Sequence, residues 1–477
     1  MTFEVRISRA YRDREQPCRD TRFEGEWMSP RSEGRLPADI LADNFAERLQ
    51  PMVDDQALVE ASRCLFCYDA PCMVACPTSI DIPSFIKRIS TGDAIGAANK
   101  ILSANVLGAS CARVCAVEEL CEEACVLHRD EKPIEIGRLQ RFATDELIDR
   151  GMDIPYVAGA ATSKSVAVVG GGPAGLAAAA ALRVAGHAVT IFDRQPELGG
   201  LATYGIIPLR EPTEIAMWEG EQIRKLGVEV RTGAEIGVDV QADDILRDFD
   251  AVFIGTGSGR NVIPIRLEGA DAEGVEDALV YIERIRVDKP EDVPVGQHVV
   301  VVGAGNTAMD ACTIAVRLGA PTVTCVYRRT AAEMTGYPSE FEFCKSEGVL
   351  FRWLTQPVRV VTDDAGQVTG LECVAVQLGA PGPDGRAAPV LSDERFVIEA
   401  DHVLLATGQQ REPSLFAAFG LELDGERPAV TGGFSTSNPA VFAGGDAVLS
   451  GKELSVVDAV AQGRDAGAAI NNFLSEH

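Results

Sequence analysis

The chain has 477 residues, 46% of them hydrophobic, and a formal net charge of −27 from 44 Lys+Arg against 71 Asp+Glu. That length suits two to four domains with real cores, and the acidity opposes binding to phosphate backbones, which needs clustered Lys and Arg, so nucleic acid is excluded as a partner. No apolar stretch approaches the roughly eighteen residues that cross a bilayer, and no secretory signal opens MTFEVRISRAYRDREQPCRD, so no membrane span is expected.

Residues 1–50 are polar and punctuated by Pro17, Pro30 and Pro37, which predicts an arm with little core of its own, packed on a partner. Residues 51–150 show helical stretches at Asp55–Ser62, Pro83–Ser90, Ile95–Leu102 and Ile136–Ile148 and no convincing strand. Eight of the thirteen cysteines fall here, as C-x2-C-x4-C-x3-C-P (Cys64, Cys67, Cys72, Cys76) and C-x3-C-x5-C-x3-C (Cys111, Cys115, Cys121, Cys125). A run ending in Cys-Pro lends its fourth cysteine to the other cluster of a pair, so two interleaved 4Fe–4S clusters are expected. A disulfide framework belongs to short secreted chains. A structural zinc site would show two C-x2-C pairs about fifteen to twenty residues apart. Reduced, metal-bound cysteines imply the cytoplasm.

After a Gly/Ala-rich link (157–164) the pattern changes to a strand at Ser165–Val169, a glycine turn, an Ala-rich helix and a strand at Ala188–Phe192. The turn reads Gly170-x-Gly172-x-x-Gly175, and Asp193 ends the second strand. Such glycines allow a tight turn and a close approach to a pyrophosphate at the helix N-terminus, and the acid accepts hydrogen bonds from a ribose. The order returns with a strand at Val299–Val302, Gly303-x-Gly305-x-x-Ala308, and a strand at Thr322–Val326. Here Arg328 and Arg329 follow the second strand in place of an acid; forked donors suit a 2′-phosphate, so NADPH is expected over NADH. The fold class predicted is α/β behind an all-α iron–sulfur domain: two Rossmann-like domains, the NAD(P)H domain (260–405) inserted into the FAD domain (161–259 and 406–477).

Gly199-Gly200-Leu201, Gly255-Thr256-Gly257, Ala406-Thr407-Gly408 and Gly444-Gly445-Asp446 resemble the recurrent elements of the flavoproteins with two dinucleotide domains. That resemblance implies FAD, with Gly445 and Asp446 at its ribityl chain and the N-terminus of a last helix (Leu454–Phe473) facing the flavin. The cysteines after Cys125 are all far apart in sequence, so no dithiol relay is expected and electrons must leave through the clusters.

From Cys64 onward the order of domains resembles the glutamate synthase small-subunit family and the N-terminal half of dihydropyrimidine dehydrogenase. Asp69-Ala70-Pro71-Cys72, the segment Gly108 to Cys115 and Ile136-Gly137-Arg138-Leu139-Gln140-Arg141-Phe142 match the flavoprotein chain of the bacterial two-subunit dehydrogenase more finely. Ile80 and Phe85 stand where glutamate synthase chains usually have Asn and Trp. The resemblance implies a first cluster on Cys64, Cys67, Cys72 and Cys125. It implies a second on Cys76, Cys115, Cys121 and the amide oxygen of Gln140, with Cys111 free. The chain stops at His477, whereas the full-length dehydrogenase continues into an FMN barrel of about 250 residues. The resemblance therefore implies a separate, FMN-containing, pyrimidine-reducing partner subunit. The alternative is the small subunit of a glutamate synthase.

Overall fold

The computed structural model describes residues 36–129, 132–259, 261–262, 265–382, 385–449 and 454–476. Residues 1–35 of the expected arm lie outside the described residues. Its remainder packs on the chain itself. Helix α1 (Ala38–Asn44) buries Leu41, and with it Phe45, in the same apolar cluster as Ile285 and Val316 of the chain itself. Asn44 and Arg317 exchange hydrogen bonds of 2.7 Å.

Six helices follow: α2 (Asp54–Ser62), α3 (Pro71–Ala75), α4 (Ile82–Ser90), α5 (Ala94–Leu102), α6 (Gly108–Val114) and α7 (Ile136–Asp149). Asp81 and Asp93 cap α4 and α5 by accepting from the Ser84 and Gly96 amides. Phe85, Ile86, Ile101, Leu102, Leu139 and Leu147 close the core between α4, α5 and α7. Helix α6, which the sequence pattern leaves as a cysteine loop, is one of the buried elements.

Next come β1 (Ser165–Val169), α8 (Pro173–Val184), β2 (Ala188–Asp193), α9 (Leu201–Tyr204), α10 (Thr213–Lys225), β3 (Glu229–Thr232), α11 (Ala242–Asp248) and β4 (Ala251–Ile254). The chain then leaves this sheet through β5 (Asn261–Val262). It builds β6 (Val275–Asp277), α12 (Ala278–Val287), β7 (His298–Val302), α13 (Asn306–Leu318), β8 (Thr322–Val326), α14 (Pro338–Ser346) and β9 (Leu350–Arg352). Three long strands, β10 (Thr355–Thr362), β11 (Val368–Pro381) and β12 (Ala387–Glu399), precede β13 (His402–Leu405). The return passes β14 (Gln409–Gln410), α15 (Pro413–Ala418), β15 (Leu423–Asp424) and β16 (Arg427–Pro428) to β17 (Val441–Ala443) and α16 (Val456–Glu476).

Two parallel sheets result, ordered β17-β4-β1-β2-β3 and β6-β13-β7-β8-β9. The second is inserted in the first, and the two crossing segments, β5 and β14, pair antiparallel. Strand alternation sorts each sheet into two faces. Val299 and Val301 meet α12 and α13, while Val300 and Val302 meet the antiparallel layer β10-β11-β12. In the first sheet Val166 and Val168 face α8 and α16, and Ala167 and Val169 face Phe416 and Phe419. The core of the helical domain is continuous with the α8 side of that sheet. Among the described residues no helix is long and apolar enough to cross a membrane.

Candidate cofactor sites

The first fingerprint turns between β1 and α8. Gly170 has φ +102°, and a Cβ on Gly175 would lie 1.8 Å from the Gly170 carbonyl oxygen, so only glycine lets α8 approach the strand this closely. Asp193 Oδ2 accepts the Gly171 amide at 2.5 Å and Oδ1 the Gln195 amide at 2.7 Å. Burial pushes its carboxyl up despite those bonds. Gly170, Gly172, Asp193, Gly200, Leu201 and Asp446 line one cavity of about 1500 Å³.

Asp446 lies in the turn between β17 and α16. Its backbone carbonyl accepts from Arg411 Nη1 at 2.7 Å, but its Oδ1 is buried without a hydrogen-bond partner. Burial, and the nearby Asp458, push its carboxyl up to about 6 against the pull of Arg411. A buried acceptor left unpaired is costly, and a ligand hydroxyl donor suits it. Ser455, just before α16, caps the helix by accepting the Asp458 amide, and Leu454, Ser455 and Val456 line the same cavity. These features fit a flavin dinucleotide: glycine cradle, acid at the second strand, orphan acceptor and helix N-terminus share one space.

The second fingerprint places Gly303 (φ +138°) against the Ala406 carbonyl and buries Ala308 completely. Asn306 and Thr307, beside Gly305, line the far part of the large cavity, so the two dinucleotide folds share it. The two arginines separate. Arg328 is exposed, whereas Arg329 is buried and its Nε donates to the Ala387 carbonyl of β12 at 2.9 Å. Neither lines the cavity; Arg386 does. Sequence reasoning also missed Arg210, Asp310 and Tyr337 on its wall. Asp310, the one acid of the apolar helix α13, was the available signal. Its Oδ2 is 3.5 Å from Arg210 Nη1, its Oδ1 is unpaired, and burial pushes its carboxyl up to about 7.

The cysteines divide into two groups. Cys64, Cys67, Cys72 and Cys125 line one small apolar pocket with Ile82, Ile86 and Ile136. Cys115, the C-cap of α6, hydrogen-bonds Cys111, and Cys121 and Cys76 lie near enough for their charges to oppose its ionisation. Cys76 Sγ is 3.4 Å from Thr78 Oγ1. Gln140, buried on α7, donates its Nε2 to the Gly108 carbonyl at the start of α6 at 2.7 Å. With the amide nitrogen so engaged, Oε1 is the end left to accept. Burial and their neighbours' charges oppose the ionisation of Cys115 and Cys121, and a bound cation such as iron would offset that. The disulfide alternative is not realised: the twelve cysteines described are all free.

Comparison with known proteins gives two family matches along the chain. Residues 41–152 match the family "dihydropyrimidine dehydrogenase domain II, 4Fe-4S cluster" and residues 164–463 match "pyridine nucleotide-disulphide oxidoreductase". The chain is 35% identical to the glutamate synthase (NADPH) small chain of Escherichia coli, over 92% of this chain and 96% of that one. It is 34% identical to the NAD-dependent dihydropyrimidine dehydrogenase subunit PreT of Salmonella typhimurium, over 92% and 99%. The solved structure of Mycobacterium tuberculosis FprA in complex with NADPH superposes with a TM-score of 0.53 at 18% identity, covering 66% of this chain and 85% of that one, a likeness of fold.

Proposed function

We propose that this chain, which belongs to the pyridine nucleotide-disulphide oxidoreductase family and is an NAD(P)H-dependent FAD and iron–sulfur oxidoreductase, is the electron-input subunit of a cytoplasmic dihydropyrimidine dehydrogenase. Its partner would carry FMN and reduce uracil or thymine. When bound, FAD would supply a hydride acceptor for NADPH, and two 4Fe–4S clusters would supply a single-electron path to the partner.

The chain's own residues hold and orient these groups. Gly170, Gly172, Gly175 and Gly200 with Leu201 admit the pyrophosphate of FAD, Asp193 takes its ribose, and Asp446 with Gly445 takes its ribityl chain. Gly303, Gly305 and Ala308 admit NADPH, and Arg328, exposed after β8 and outside the cavity wall, is the donor assigned to its 2′-phosphate. Cys64, Cys67, Cys72 and Cys125 hold one cluster; Cys76, Cys115, Cys121 and Gln140 hold the other. Residues 51–150 form the cluster domain, 161–259 with 406–477 the FAD domain and 260–405 the NAD(P)H domain.

The observation that supports the dehydrogenase over its relatives is the burial of Gln140 with its nitrogen on Gly108, which leaves an oxygen donor beside the helix that carries Cys115. The competing reading, a glutamate synthase small subunit, rests on the 35% identity to that chain. Purification of the native complex under anaerobic conditions decides between them. We expect uracil-dependent oxidation of NADPH; formation of glutamate from glutamine and 2-oxoglutarate instead would overturn the proposal.

A further inference from the structure

Helix α6 meets the flavin domain through a pair of buried glutamates. Glu219 on α10 and Glu211, just before it, are 1% and 0% exposed. Glu219 Oε1 accepts the Ala109 and Ser110 amides at 2.9 and 3.0 Å. The Ser110 hydroxyl contacts Glu219 Oε2 on one side and Glu211 Oε1 on the other. A hydroxyl has one proton. It can donate to one carboxylate, and the second contact is a hydrogen bond only if that carboxyl brings a proton of its own. Glu211 Oε2 is buried without any partner, as a carboxylic acid tolerates better than a carboxylate.

The surrounding charges do not remove the need for that proton. Arg286 of α12 spends its guanidinium on the backbone carbonyls of Ala202, Thr203 and Glu211. Arg113 of α6 is paired with Glu47 and Asp145, and Arg210 with Asp310 and Glu340. Glu214 also faces Arg286. The thiol next to Ser110 is Cys111. Burial pushes Glu211 up to about 7 and Glu219 up to about 8, and the transition belongs to the pair.

We propose that Glu211 and Glu219, joined through Ser110, form a proton-binding site coupled to the electron occupancy of the second cluster. Ser110 precedes Cys115 by five residues, about 7.5 Å along the axis of α6 at about 1.5 Å per residue. Two like charges about 7.5 Å apart at an effective dielectric constant of about 20 change each other's ionisation on the order of fortyfold. With the cluster bound, an electron delivered to it from the reduced flavin would raise the pair's affinity for one proton, taken from solvent to form one O–H bond on a carboxylate. Charge at the junction then stays constant. The inference rests on the proposed ligation of that cluster by Cys115.

The test is a potentiometric titration followed by electron paramagnetic resonance, on the full chain purified anaerobically with its FAD and clusters, from pH 6.5 to 9. The second cluster's midpoint should fall with rising pH above about 7, by up to about 59 mV for each tenfold change in proton activity. The first cluster's midpoint should stay flat. In Glu219→Gln, and separately in Ser110→Ala, the slope should vanish while FAD content is retained. An infrared band of a neutral buried carboxyl should be present in the wild type and lost in Glu219→Gln. A second-cluster signal with a pH-independent midpoint overturns the proton site alone. Absence of any second-cluster signal overturns the ligation and this inference with it. If neither variant folds, the wild-type slope and infrared band still decide.

Discussion

Asp446→Asn separates what the flavin site costs the fold from what it contributes to binding. The carboxyl is buried, one oxygen lacks a partner, and burial pushes its pKa from about 3.8 to about 6. For an acid whose folded pKa lies above its unfolded value, the penalty is absent below the unfolded pKa. It grows between about 4 and 6 and is constant above. A shift of roughly two units corresponds to about 3 kcal/mol. In the flavin-free protein the uncharged amide avoids that penalty, so the variant should be more stable than wild type at pH 8 by about 2 to 3 kcal/mol, and the advantage should shrink toward zero near pH 4. Urea unfolding of both flavin-free proteins across this range measures it. FAD should bind the variant more weakly, by the roughly 1.5 to 3 kcal/mol of a hydrogen bond to a charged group, read by fluorescence titration. Equal stabilities at pH 8, or an advantage that does not change with pH, would refute the argument that Asp446 is held charged against its surroundings.

Four further outcomes follow from the same geometry. A Cβ at Gly463 of α16 would lie 2.0 Å from the Ala174 carbonyl oxygen of α8, and backbone cannot turn aside as a side chain can. Gly463→Ala should therefore cost about 3 kcal/mol, the upper part of the overpacking range, in chemical unfolding. Arg328→Ala should raise the KM for NADPH by about 10- to 150-fold with little change for NADH. Arg329→Ala should instead strand the Ala387 carbonyl, lowering stability by about 1 to 3 kcal/mol and altering both cofactors alike; selectivity residing in Arg329 would contradict its hydrogen bond into β12. Gln140→Leu should shift or abolish the second cluster's paramagnetic signal and spare the first, with hydride transfer to FAD retained; unchanged spectra would return Gln140 to a packing role.

Much of this was legible in the chain because the relevant signals are local. The fingerprint glycines act on their own turns, the central strands are buried on both faces and so read as unbroken apolar runs, and the cysteines of each quartet are close together in sequence. The all-α cluster domain, the two parallel sheets and the insertion of one in the other could all be read from that order. The layer β10-β11-β12 could not. β12 is mostly exposed, so the register of this layer is set by pairing partners and not by composition. Helix α6 was hidden because it is only seven residues long, too few for a helical period to show. The separation of Arg328 from Arg329 depends on which side of one residue β12 passes. The junction pair depends on contacts between residues 101 and 109 positions apart, Ser110 with Glu211 and with Glu219. Local rules decide turns, strands and ligand spacing. Whether a charge is exposed, paired or sharing a proton is decided only when distant segments remove it from water together.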